Sequence, residues 1–521
     1  MSAATFDFDN TYARSLPDAG VRWNPAPAPA PQLLYLNDAL AAELGLDAAA
    51  LRGDAGAALF AGNDLPAGAE PLAQVYAGHQ FGGFSPRLGD GRALLLGELV
   101  DRHGRRRDIA FKGSGRTPYS RGGDGRAAVG PMLREVLIGE AMHALGIPST
   151  RALAVAATGE AVYRETPLPG AVLTRVAASH LRVGSFQYFA ARGEFDALQR
   201  LLDYAIDRHG LEPEVGAPQA SGRWCALLES VARRQARLVA QWMNTGFIHG
   251  VMNTDNMTIS GETIDYGPCA YMEAYDPRTV FSSIDHGGRY AYANQPQVAR
   301  WNLSKLAEAL LPLAPGVQAE GNTTAVQAAV EQATAVIDAF PQWYGQALLQ
   351  GQRAKLGLAH ATAADGDADR ALADAWLLLL HGQQVDFTLA WRRLCDASGG
   401  DAQALRGLFP DAGPLDAWLA QWHARCAADD AMTASGPASG PAAPSAARAA
   451  RMRRANPFVI PRNHRVEEAL AAASAEPADL GPFRRLLAAL QQPFEESPAL
   501  ASYGEPAPAA MTGSYRTFCG T

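Results

Sequence analysis

Short apolar runs separated by glycine and polar residues predict a sheet in the first third of the chain. Residues 93–100 form an apolar run typical of a strand, 101–104 have the composition of a turn, and 107–112 are typical of the returning strand. Residues 131–145 then show helical spacing behind an opening proline, and Gly146 follows as a stop signal. Strands followed by one helix in this order predict a compact α+β unit.

Apolar residues after this unit recur mostly with the spacing of helices. The helical spacing holds from about Phe186 to Thr245 and again from Val298 to His423. Between these stretches the pattern predicts a short hairpin, with arms at 256–260 and 262–265 and a turn at Ser260–Gly261. We therefore expect the second part of the chain to be mainly helical.

Segments of biased composition flank these regions. Residues 25–31 alternate Pro and Ala and predict an extended strap, after which 33–46 has helical spacing. Residues 428–455 are rich in Ala, Gly, Ser and Pro in their first part and predict a flexible linker. Beyond Asn456 we expect one or two short helices and a tail.

Composition narrows the class of protein. The chain has 521 residues and a formal net charge of −8, which gives no support for a general nucleic-acid binder. It has no run of about 18 apolar residues, as a membrane span requires, and its start lacks the basic and apolar stretches of a secretory signal. Its abundant Ala and Arg hint at a bacterial origin. We expect a cytoplasmic bacterial enzyme that acts as a monomer and binds neither nucleic acid nor a membrane.

The strongest chemical pattern runs from His249 to Asn256 and is followed by Asp265-Tyr-Gly267. Magnesium prefers oxygen ligands and keeps several waters, so one Asn and one Asp that converge on phosphates are enough to hold it. Protein kinases hold their metal ions in this way, with a catalytic-loop Asn and an Asp-Phe-Gly Asp. A lone Asn–Asp pair is more often a polar loop that caps a hairpin. Here the Asp-Tyr-Gly and the preceding α+β unit favour a metal site.

A second pattern joins a glycine-rich stretch, 78–92, to Lys112 at the end of a predicted strand. Glycines let successive backbone N–H groups face a phosphate, although glycine clusters usually mark only turns. A kinase-like unit needs a Lys for phosphate and a helical Glu to hold that Lys. Glu135 and Glu140 both lie on the next predicted helix, and spacing does not choose between them. An isolated Lys112 would be equally typical of a solvated strand end.

Two further segments contain residues that could contact a nucleotide: a pair of arginines and a second glycine-rich loop. Arg175 and Arg182 are seven residues apart; if this segment is helical, both lie on one side of it and could bind phosphate. Surface arginines are common, so this spacing alone does not indicate a site. Asp124 and Gly125 lie in another glycine-rich loop that could contact a nucleotide.

The pattern departs from that of a phosphotransferase at one position. Counting back from Asn256 places Val251 where the catalytic base of a kinase stands, and valine cannot accept a proton. Asp255, next to Asn256, is the nearest substitute base. This change favours a different chemistry on the same nucleotide.

These motifs together resemble the selenoprotein O family, also called YdiU, whose members are protein adenylyltransferases with a pseudokinase fold. The resemblance covers nearly the whole chain and depends on long motifs that occur in order. They are Phe8–Tyr12 with Leu16-Pro17, Tyr76–Gly82, Leu88–Arg92, Phe111–Gly115, Thr117–Arg126, His249–Asn256, Asp265–Pro268 and Pro461–His464.

The resemblance implies transfer of AMP from ATP to Ser, Thr or Tyr hydroxyls of proteins, with the nucleotide flipped relative to kinases. Family members also use Mn²⁺ in place of Mg²⁺, and UTP in place of ATP. The roles implied for this chain divide into nucleotide binding, support, catalysis and metal binding. ATP would be bound by Gly89, Gly91, Arg92, Lys112, Asp124, Gly125, Arg175, Arg182 and Asp265; Glu135 would pair with Lys112; Asp255 would accept the proton; Asn256 and Asp265 would bind the metal.

The resemblance also suggests a redox-sensitive disulfide between Cys269, just after Asp265-Tyr-Gly-Pro, and Cys519 near the end of the chain. We expect both cysteines to lie in mobile segments. The alternative is two unrelated thiols, which is usual in a cytosolic protein. The five cysteines of the chain contain no CxxC pair, which argues against a structural zinc site.

The implied fold is α+β and kinase-like, with a small β-rich N-lobe, a mainly helical C-lobe and extensions at both ends. Two other functions stay open: a non-catalytic, nucleotide-binding redox sensor and a conventional phosphotransferase. The predicted units are 1–70 as an N-terminal extension, 71–155 as the N-lobe, 156–427 as the C-lobe, 428–455 as the linker and 456–521 as a C-terminal segment with the redox tail.

Overall fold

The computed structural model describes residues 6–210, 222–432, 444–508, 511 and 515–518. In these residues the fold is α+β, which confirms the predicted class: an antiparallel sheet forms in the first part of the chain and helices follow. The strands are β1 (Gly20–Arg22), β2 (Gln32–Leu36), β3 (Leu72–Gln74), β4 (Gly78–Gln80), β5 (Gly83–Ser85), β6 (Ala93–Val100), β7 (Arg106–Lys112), β8 (Ala127–Ala128), β9 (Arg151–Tyr163), β10 (Pro167–Ala177), β11 (Phe247–Ile248) and β12 (Ala270–Tyr271).

Helices make up most of the remaining described residues. They are α1 (Thr11–Ser15), α2 (Asp38–Glu43), α3 (Gly53–Ala61), α4 (Val129–Ala144), α5 (Val183–Ala191), α6 (Phe195–His209), α7 (Gly222–Thr245), α8 (Gln295–Leu310), α9 (Thr323–Leu356), α10 (Gly366–Gln383), α11 (Phe387–Ala397), α12 (Gln403–Arg406), α13 (Ala412–Ala431), α14 (Pro444–Ala455), α15 (Asn463–Ser474), α16 (Gly481–Leu490) and α17 (Ala501–Gly504). None of the helices in the described ranges is both long enough and apolar enough to cross a membrane.

The main sheet has the strand order β1-β3-β6-β7-β10-β9-β2, with β8 paired to β10. The predicted β6–β7 hairpin is present, and it sets Ala93 opposite Lys112. No strand was predicted between residues 147 and 177, yet β9 and β10 are the longest strands in the described residues, at 13 and 11 residues. Because β9 crosses residue 155, the sheet continues past the predicted end of the N-lobe. The division into lobes stays a prediction.

Helix α4 lies between the sheet and the C-terminal helices. Its Leu133 and Val136 pack in one core cluster with Leu173 of β10 on the sheet side and with Val466 and Phe483 of α15 and α16. Almost every side of α4 is buried as a result, because two layers cover it. This packing fixes the side chains of α4 relative to the end of β7.

The predicted helix at 33–46 is wrong in its first part. Residues 32–36 form β2, which pairs with β9, and only Asp38–Glu43 are helical. A short apolar run fits a strand as well as a helix, and here β9 supplies partners for the backbone N–H and C=O groups.

The hairpin predicted at 256–265 is also wrong. The turn at Gly261 is present with a φ of 79°, but each arm pairs outward: Thr258 forms a bridge with Arg182 and Thr263 with Ser149. Because the backbone groups of the two arms pair with neighbouring segments, the arms do not form a hairpin ladder with each other.

The predicted flexible linker, 428–455, is partly helical. Helix α13 continues to Ala431 and α14 covers Pro444–Ala455, while residues 433–443 lie outside the described residues. Alanine has the highest helix propensity, so an Ala-rich segment forms a helix where it can pack. Arg448 of α14 does so by donating to the carbonyl oxygens of Cys426 and Gly357.

Candidate functional site

One loop carries all the predicted catalytic and metal-binding residues of the second part of the chain. Strands β11 and β12 pair antiparallel and enclose residues 249–269. Inside the loop, Nε2 of His249 lies 2.9 Å from the carbonyl oxygen of Ile264, so this nitrogen carries the hydrogen and donates it. The contact ties the part of the loop near Asp255 to the part that ends at Asp265.

Lys112, at the end of β7, forms a buried ion pair with Glu135 of α4 and not with Glu140. Glu140 binds Arg151 instead, through hydrogen bonds of 2.5 and 2.7 Å. The two carboxylates lie on different parts of the α4 surface, and only that of Glu135 is directed toward the end of β7. Spacing in the sequence left open whether Glu135 or Glu140 pairs with Lys112, and the packing of α4 decides for Glu135.

Three cations converge on the carboxylate of Asp265. Lys112 Nζ is 2.6 Å and Arg175 Nη1 is 2.8 Å from Oδ1, and Arg182 Nη1 is 3.7 Å from Oδ2. Burial alone would raise the pKa of Asp265, but the three cations outweigh it and hold that pKa well below its usual range. Asp265 is therefore ionised at neutral pH.

The backbone of Asp265 lies in the left-handed region, with a φ of 63°. Non-glycine residues rarely adopt this conformation, although Asp does so more readily than most. The next residue, Tyr266, is fully buried and its hydroxyl is hydrogen-bonded to that of Ser149. Anchoring of Tyr266 keeps the preceding residue in its unusual conformation and its carboxylate among the cations.

Arg182, just before α5, links both parts of the loop. Its Nη1 donates to the carbonyl oxygen of Asp255 at 3.1 Å and also approaches Asp265. The guanidinium group lies over the ring of Tyr76, 4.6 Å from its centre, in a cation–π contact. Its buried Nε has no hydrogen-bond partner within the described ranges. An unpaired cationic donor of this kind is suited to an anionic ligand.

Asp255 lies beneath the hairpin formed by β4 and β5. Gln80 donates from Nε2 to Oδ2 at 3.2 Å, whereas the buried Oδ1 has no partner in the part of the chain that the structure describes. A Cβ atom at Gly78 would lie 2.6 Å from Oδ1. Burial raises the pKa of Asp255 to about 6, and the opposing charge of Arg182 offsets burial only in part. A carboxylate with one free oxygen and such a pKa can accept a proton from a hydroxyl group.

Asn256 is the last residue of a short 3₁₀ helix, Thr254–Asn256, which also contains Asp255. Its Nδ2 donates to the carbonyl oxygen of Val251 at 3.0 Å, which directs the amide oxygen to the opposite side. Val251, five residues before Asn256 in the sequence, itself lines the cavity. The backbone of this residue thus orients Asn256, while its side chain has no group that could take part in proton transfer.

The predicted nucleotide-binding glycines lie where two loops approach each other closely. Gly89 has a φ of 102°, and a Cβ atom there would lie 2.6 Å from the ring of Tyr119. Gly125 has a φ of 68°, and its Cβ would lie 2.1 Å from the carbonyl oxygen of Gly115. Both positions require glycine for conformational and steric reasons, apart from any contact with a nucleotide.

Asp124, on the same loop, is turned toward Arg164. The two side chains form an ion pair at 2.8 Å and are partly exposed. Asp124 lies on the cavity wall but is not in the cluster of cations around Asp265. Its predicted role in ATP binding stays a prediction.

The predicted nucleotide-binding, catalytic and metal-binding residues line one cavity of about 1140 Å³, large enough for a nucleotide. The cavity brings together the two arginines, the Lys–Glu pair and the loop closed by β11 and β12. The predicted site residues on its wall are Gly89, Gly91, Arg92, Lys112, Asp124, Gly125, Glu135, Arg175, Arg182, Asp255, Asn256 and Asp265.

The donor set suits a hard divalent cation. Within the described residues no group of three or more His, Cys, Asp or Glu side chains could hold a metal. The ionised carboxylate of Asp265 and the amide oxygen of Asn256 are two oxygen donors on one cavity wall, and Mg²⁺ or Mn²⁺ accepts such donors together with waters and phosphate. These two residues therefore fit a metal that a nucleotide helps to bind.

Cys269, which we expected in a mobile segment, lies in the interior of the protein. Its side chain is fully buried, and Sγ donates to the carbonyl oxygen of Tyr266 at 3.3 Å. Burial raises the pKa of the thiol to about 12, so this thiol is a poor nucleophile. Cys519 lies outside the described residues, but Thr517 donates to the carbonyl oxygen of Pro268 at 2.7 Å and so attaches the tail beside Cys269.

Three residues that complete the site had no individual role predicted from the sequence. Tyr76 supports Arg182, and Gly78 and Gln80 contact Asp255. All three lie inside the motif 76–82, so this motif is the sequence feature that could have indicated their role in the site. Gln80 and Asp255 are 175 positions apart, so no local spacing could show their contact.

Comparison with known proteins gives a consistent result. A family model described as protein adenylyltransferase SelO matches residues 3–491. The chain is 57% identical over 506 residues to the protein nucleotidyltransferase YdiU of Chromobacterium violaceum, covering 97% of this chain and 100% of that protein. It is 57% identical over 518 residues to the protein of the same name from Cereibacter sphaeroides, covering 99% and 100%, and 55% identical over 513 residues to that of a Mycobacterium species, covering 98% and 99%.

Proposed function

The chain belongs to the SelO family and is a nucleotidyltransferase, and from this premise we propose that it transfers AMP from ATP to Ser, Thr or Tyr hydroxyls of proteins. The observation that carries the proposal is the buried carboxylate of Asp255. It combines a free oxygen with a pKa of about 6 and lies on the wall of a cavity that also contains a cluster of cations. A transferase that activates a hydroxyl next to a polyphosphate needs this combination.

In the proposed reaction Asp255 accepts the proton of the acceptor hydroxyl. The hydroxyl oxygen then bonds to the α-phosphorus, the bond between the α-phosphorus and its bridging oxygen breaks, and pyrophosphate leaves. Gln80 holds one oxygen of Asp255, which leaves the other to receive the proton. Val251 offers no competing base, so a conventional kinase mechanism is disfavoured.

The cations support a flipped nucleotide, with its β- and γ-phosphates directed toward the interior. Arg175 and Arg182 are both buried, at 3% exposure, and both approach Asp265. A buried diphosphate needs cationic partners with several N–H donors, and the guanidinium group supplies them. Lys112 would add a third positive charge. The α-phosphate would then face Asp255.

A divalent cation, Mg²⁺ or Mn²⁺, bound by Asn256 and Asp265 would neutralise phosphate charge and orient the leaving pyrophosphate. UTP would serve as an alternative donor, with transfer of UMP. The fold that we propose is kinase-like and two-lobed, with the sheet and α4 in the smaller lobe. The Lys112–Glu135 pair between β7 and α4 supports it, because protein kinases join a strand and a helix in the same way.

The test is a parallel assay of the purified protein with ATP labelled at the α- or at the γ-phosphate and a mixture of candidate acceptor proteins. We expect only the α-label to become attached to protein and the γ-label to appear in pyrophosphate. Attachment of the γ-label would contradict the proposal and indicate a phosphotransferase. If neither label is transferred while ATP binds, the chain is a non-catalytic sensor.

Asp255→Asn provides the matched control, because it keeps the shape of the side chain and removes the base. This variant should bind ATP and transfer no α-label. Repeating the assay with α-labelled UTP tests the alternative donor. Mass spectrometry of the labelled acceptors then identifies the modified hydroxyl groups.

A further inference from the structure

Behind the wall of the cavity, His180 connects Arg175 to a buried carboxylate. Nε of Arg175 lies 3.2 Å from Nε2 of His180. On its other side, Nδ1 of His180 lies 3.0 Å from Oδ2 of Asp108, and the backbone N–H of His180 donates to the same oxygen at 2.8 Å. Arg175 lines the cavity, whereas His180 and Asp108 lie outside its lining.

The donors and acceptors in this chain of contacts allow only one arrangement. Arginine can only donate, so Nε2 of His180 must accept the hydrogen of Arg175 Nε. The imidazole is then neutral and carries its hydrogen on Nδ1, which donates to Asp108. The tautomer of His180 therefore follows from its two partners.

The charges around His180 are consistent with a neutral ring. Asp108 is already paired with Arg208 at 2.5 Å, while Arg175 and Arg182 disfavour a second cation beside them. Burial lowers the pKa of His180, and the two arginines lower it further against the opposing effect of Asp108. All three residues of the chain are at most 3% exposed.

We propose that Asp108 and His180 are positioning residues that hold Arg175 by its Nε, so that its two terminal nitrogens face Asp265 and the nucleotide phosphates. The proposal rests on the proposed function, in which Arg175 binds phosphate. One terminal nitrogen, Nη1, already lies 2.8 Å from Asp265 and 3.9 Å from Glu135. A guanidinium group held at Nε keeps its direction when the carboxylate of Asp265 takes a new partner, because the His180 contact is outside the cavity.

The first test compares His180→Phe with His180→Gln. Phe keeps the ring and removes the acceptor, whereas the amide oxygen of Gln can replace Nε2. We expect His180→Phe to raise the KM for ATP about tenfold and to leave the KM for the acceptor protein unchanged. His180→Gln should recover most of the difference. Equal impairment in both variants would overturn the proposal, since an acceptor at this position would then have no effect.

The second test combines the change with Arg175→Ala. If His180 acts through Arg175, His180→Phe should change the KM for ATP less than twofold in the Arg175→Ala background. A full additional tenfold effect there would show a general structural role and overturn the proposal. His209→Phe is the matched control, because the half-buried imidazole of His209 has its Nε2 2.7 Å from the hydroxyl oxygen of Ser179; this variant should leave the KM for ATP unchanged.

The two tests separate failure of this inference from failure of the proposed function. An unchanged KM for ATP in Arg175→Ala alone would contradict this inference together with the proposed binding of phosphate by Arg175, whereas the assay with α-labelled ATP decides whether AMP is transferred. A raised KM in Arg175→Ala with no effect of His180→Phe would overturn only the positioning role. Thermal unfolding of each variant confirms that the compared proteins are folded.

Discussion

Nζ of Lys112 lies 2.6 Å from Oδ1 of Asp265, although the two residues are 153 positions apart in the chain. The same carboxylate is one of the two proposed metal ligands. It therefore neutralises buried cations and offers an oxygen to a metal. A change at Asp265 therefore acts both on the buried cations and on the metal.

Asp265→Ala should abolish transfer, because the proposed metal site loses its only carboxylate and three cations lose their shared partner. Asp265→Asn keeps the shape and an oxygen, so it should fold better and still lose most activity. Asn256→Ala should be impaired but partly rescued by excess Mg²⁺ or Mn²⁺. Transfer of α-label at a series of metal concentrations measures all three, and near-normal activity of folded Asp265→Ala would disprove the metal assignment.

Lys112→Ala should weaken nucleotide binding and transfer together, because it removes a phosphate partner and leaves Glu135 with only the more distant Arg175, at 3.9 Å. Each lost charge-assisted contact is worth about 1.5–3 kcal/mol, or roughly ten- to a hundredfold in affinity. Glu135→Gln should impair the same step. Glu140→Gln is the control, since Glu140 lies on the same helix and pairs with Arg151. ATP titration by calorimetry should show an effect for the first two variants only; unchanged affinity in Lys112→Ala would make it a structural residue.

Gly78→Ala should lower kcat while ATP still binds. Its new methyl group would lie 2.6 Å from Oδ1 of Asp255 and 2.9 Å from Leu88, so the carboxylate would have to move. We expect a loss of at least tenfold in kcat, approaching the loss in Asp255→Asn. Gly83→Ala, in the same hairpin, has its nearest neighbour at 3.5 Å and serves as the control. Equal activity of Gly78→Ala and wild type would show that the free oxygen of Asp255 is not the proton acceptor.

Glu262→Gln should stabilise the protein more at pH 8 than at pH 5. Burial raises the pKa of Glu262 to about 7, from an ordinary value of 4.5, although the backbone N–H of Ala178 and the charge of Arg107 oppose it. The folded state then binds a proton more tightly than the unfolded state. The stability that this proton contributes is present below pH 4.5 and is lost as the pH rises toward 7.

Glutamine stays neutral at every pH and can still accept the hydrogen bond from Ala178. The gain in stability at pH 8 should be about 1–3 kcal/mol, since one pKa unit corresponds to about 1.4 kcal/mol. Thermal unfolding of both proteins at the two pH values measures the difference, and effects of other titrating groups cancel in the comparison. A constant difference between pH 5 and pH 8 would mean that Glu262 titrates normally.

The proposed Cys269–Cys519 disulfide should make activity depend on reductant in the parent protein and not in Cys269→Ser or Cys519→Ser. The bond would fasten the tail next to Asp265 and change access for the acceptor. Because the Cys269 thiol is buried with a pKa near 12, oxidation should be slow and should require local opening. Peptide mapping without reductant should recover the linked peptide. If both thiols stay free while other cysteines are oxidised, they are two unrelated thiols.

The sequence by itself determined those features that short-range spacing encodes. The β6–β7 hairpin, the helix after Pro131 and the helical second part follow from periods of about two and 3.6 residues, which reflect how each backbone satisfies its own hydrogen bonds. The motifs also identified the residues that line the cavity, because each loop has its own composition. The errors occurred in short segments, such as 33–36 and 256–265, whose backbone partners are far away in the chain.

Only the tertiary structure decided which of these residues meet. It pairs Lys112 with Glu135 instead of Glu140, brings three cations from distant segments to Asp265, and buries Cys269. None of these outcomes is encoded in local spacing, because each depends on how the sheet, α4 and the loop between β11 and β12 pack on one another. Packing of separate layers fixes the direction of a side chain and its exposure to water, and these two properties set its partner and its pKa.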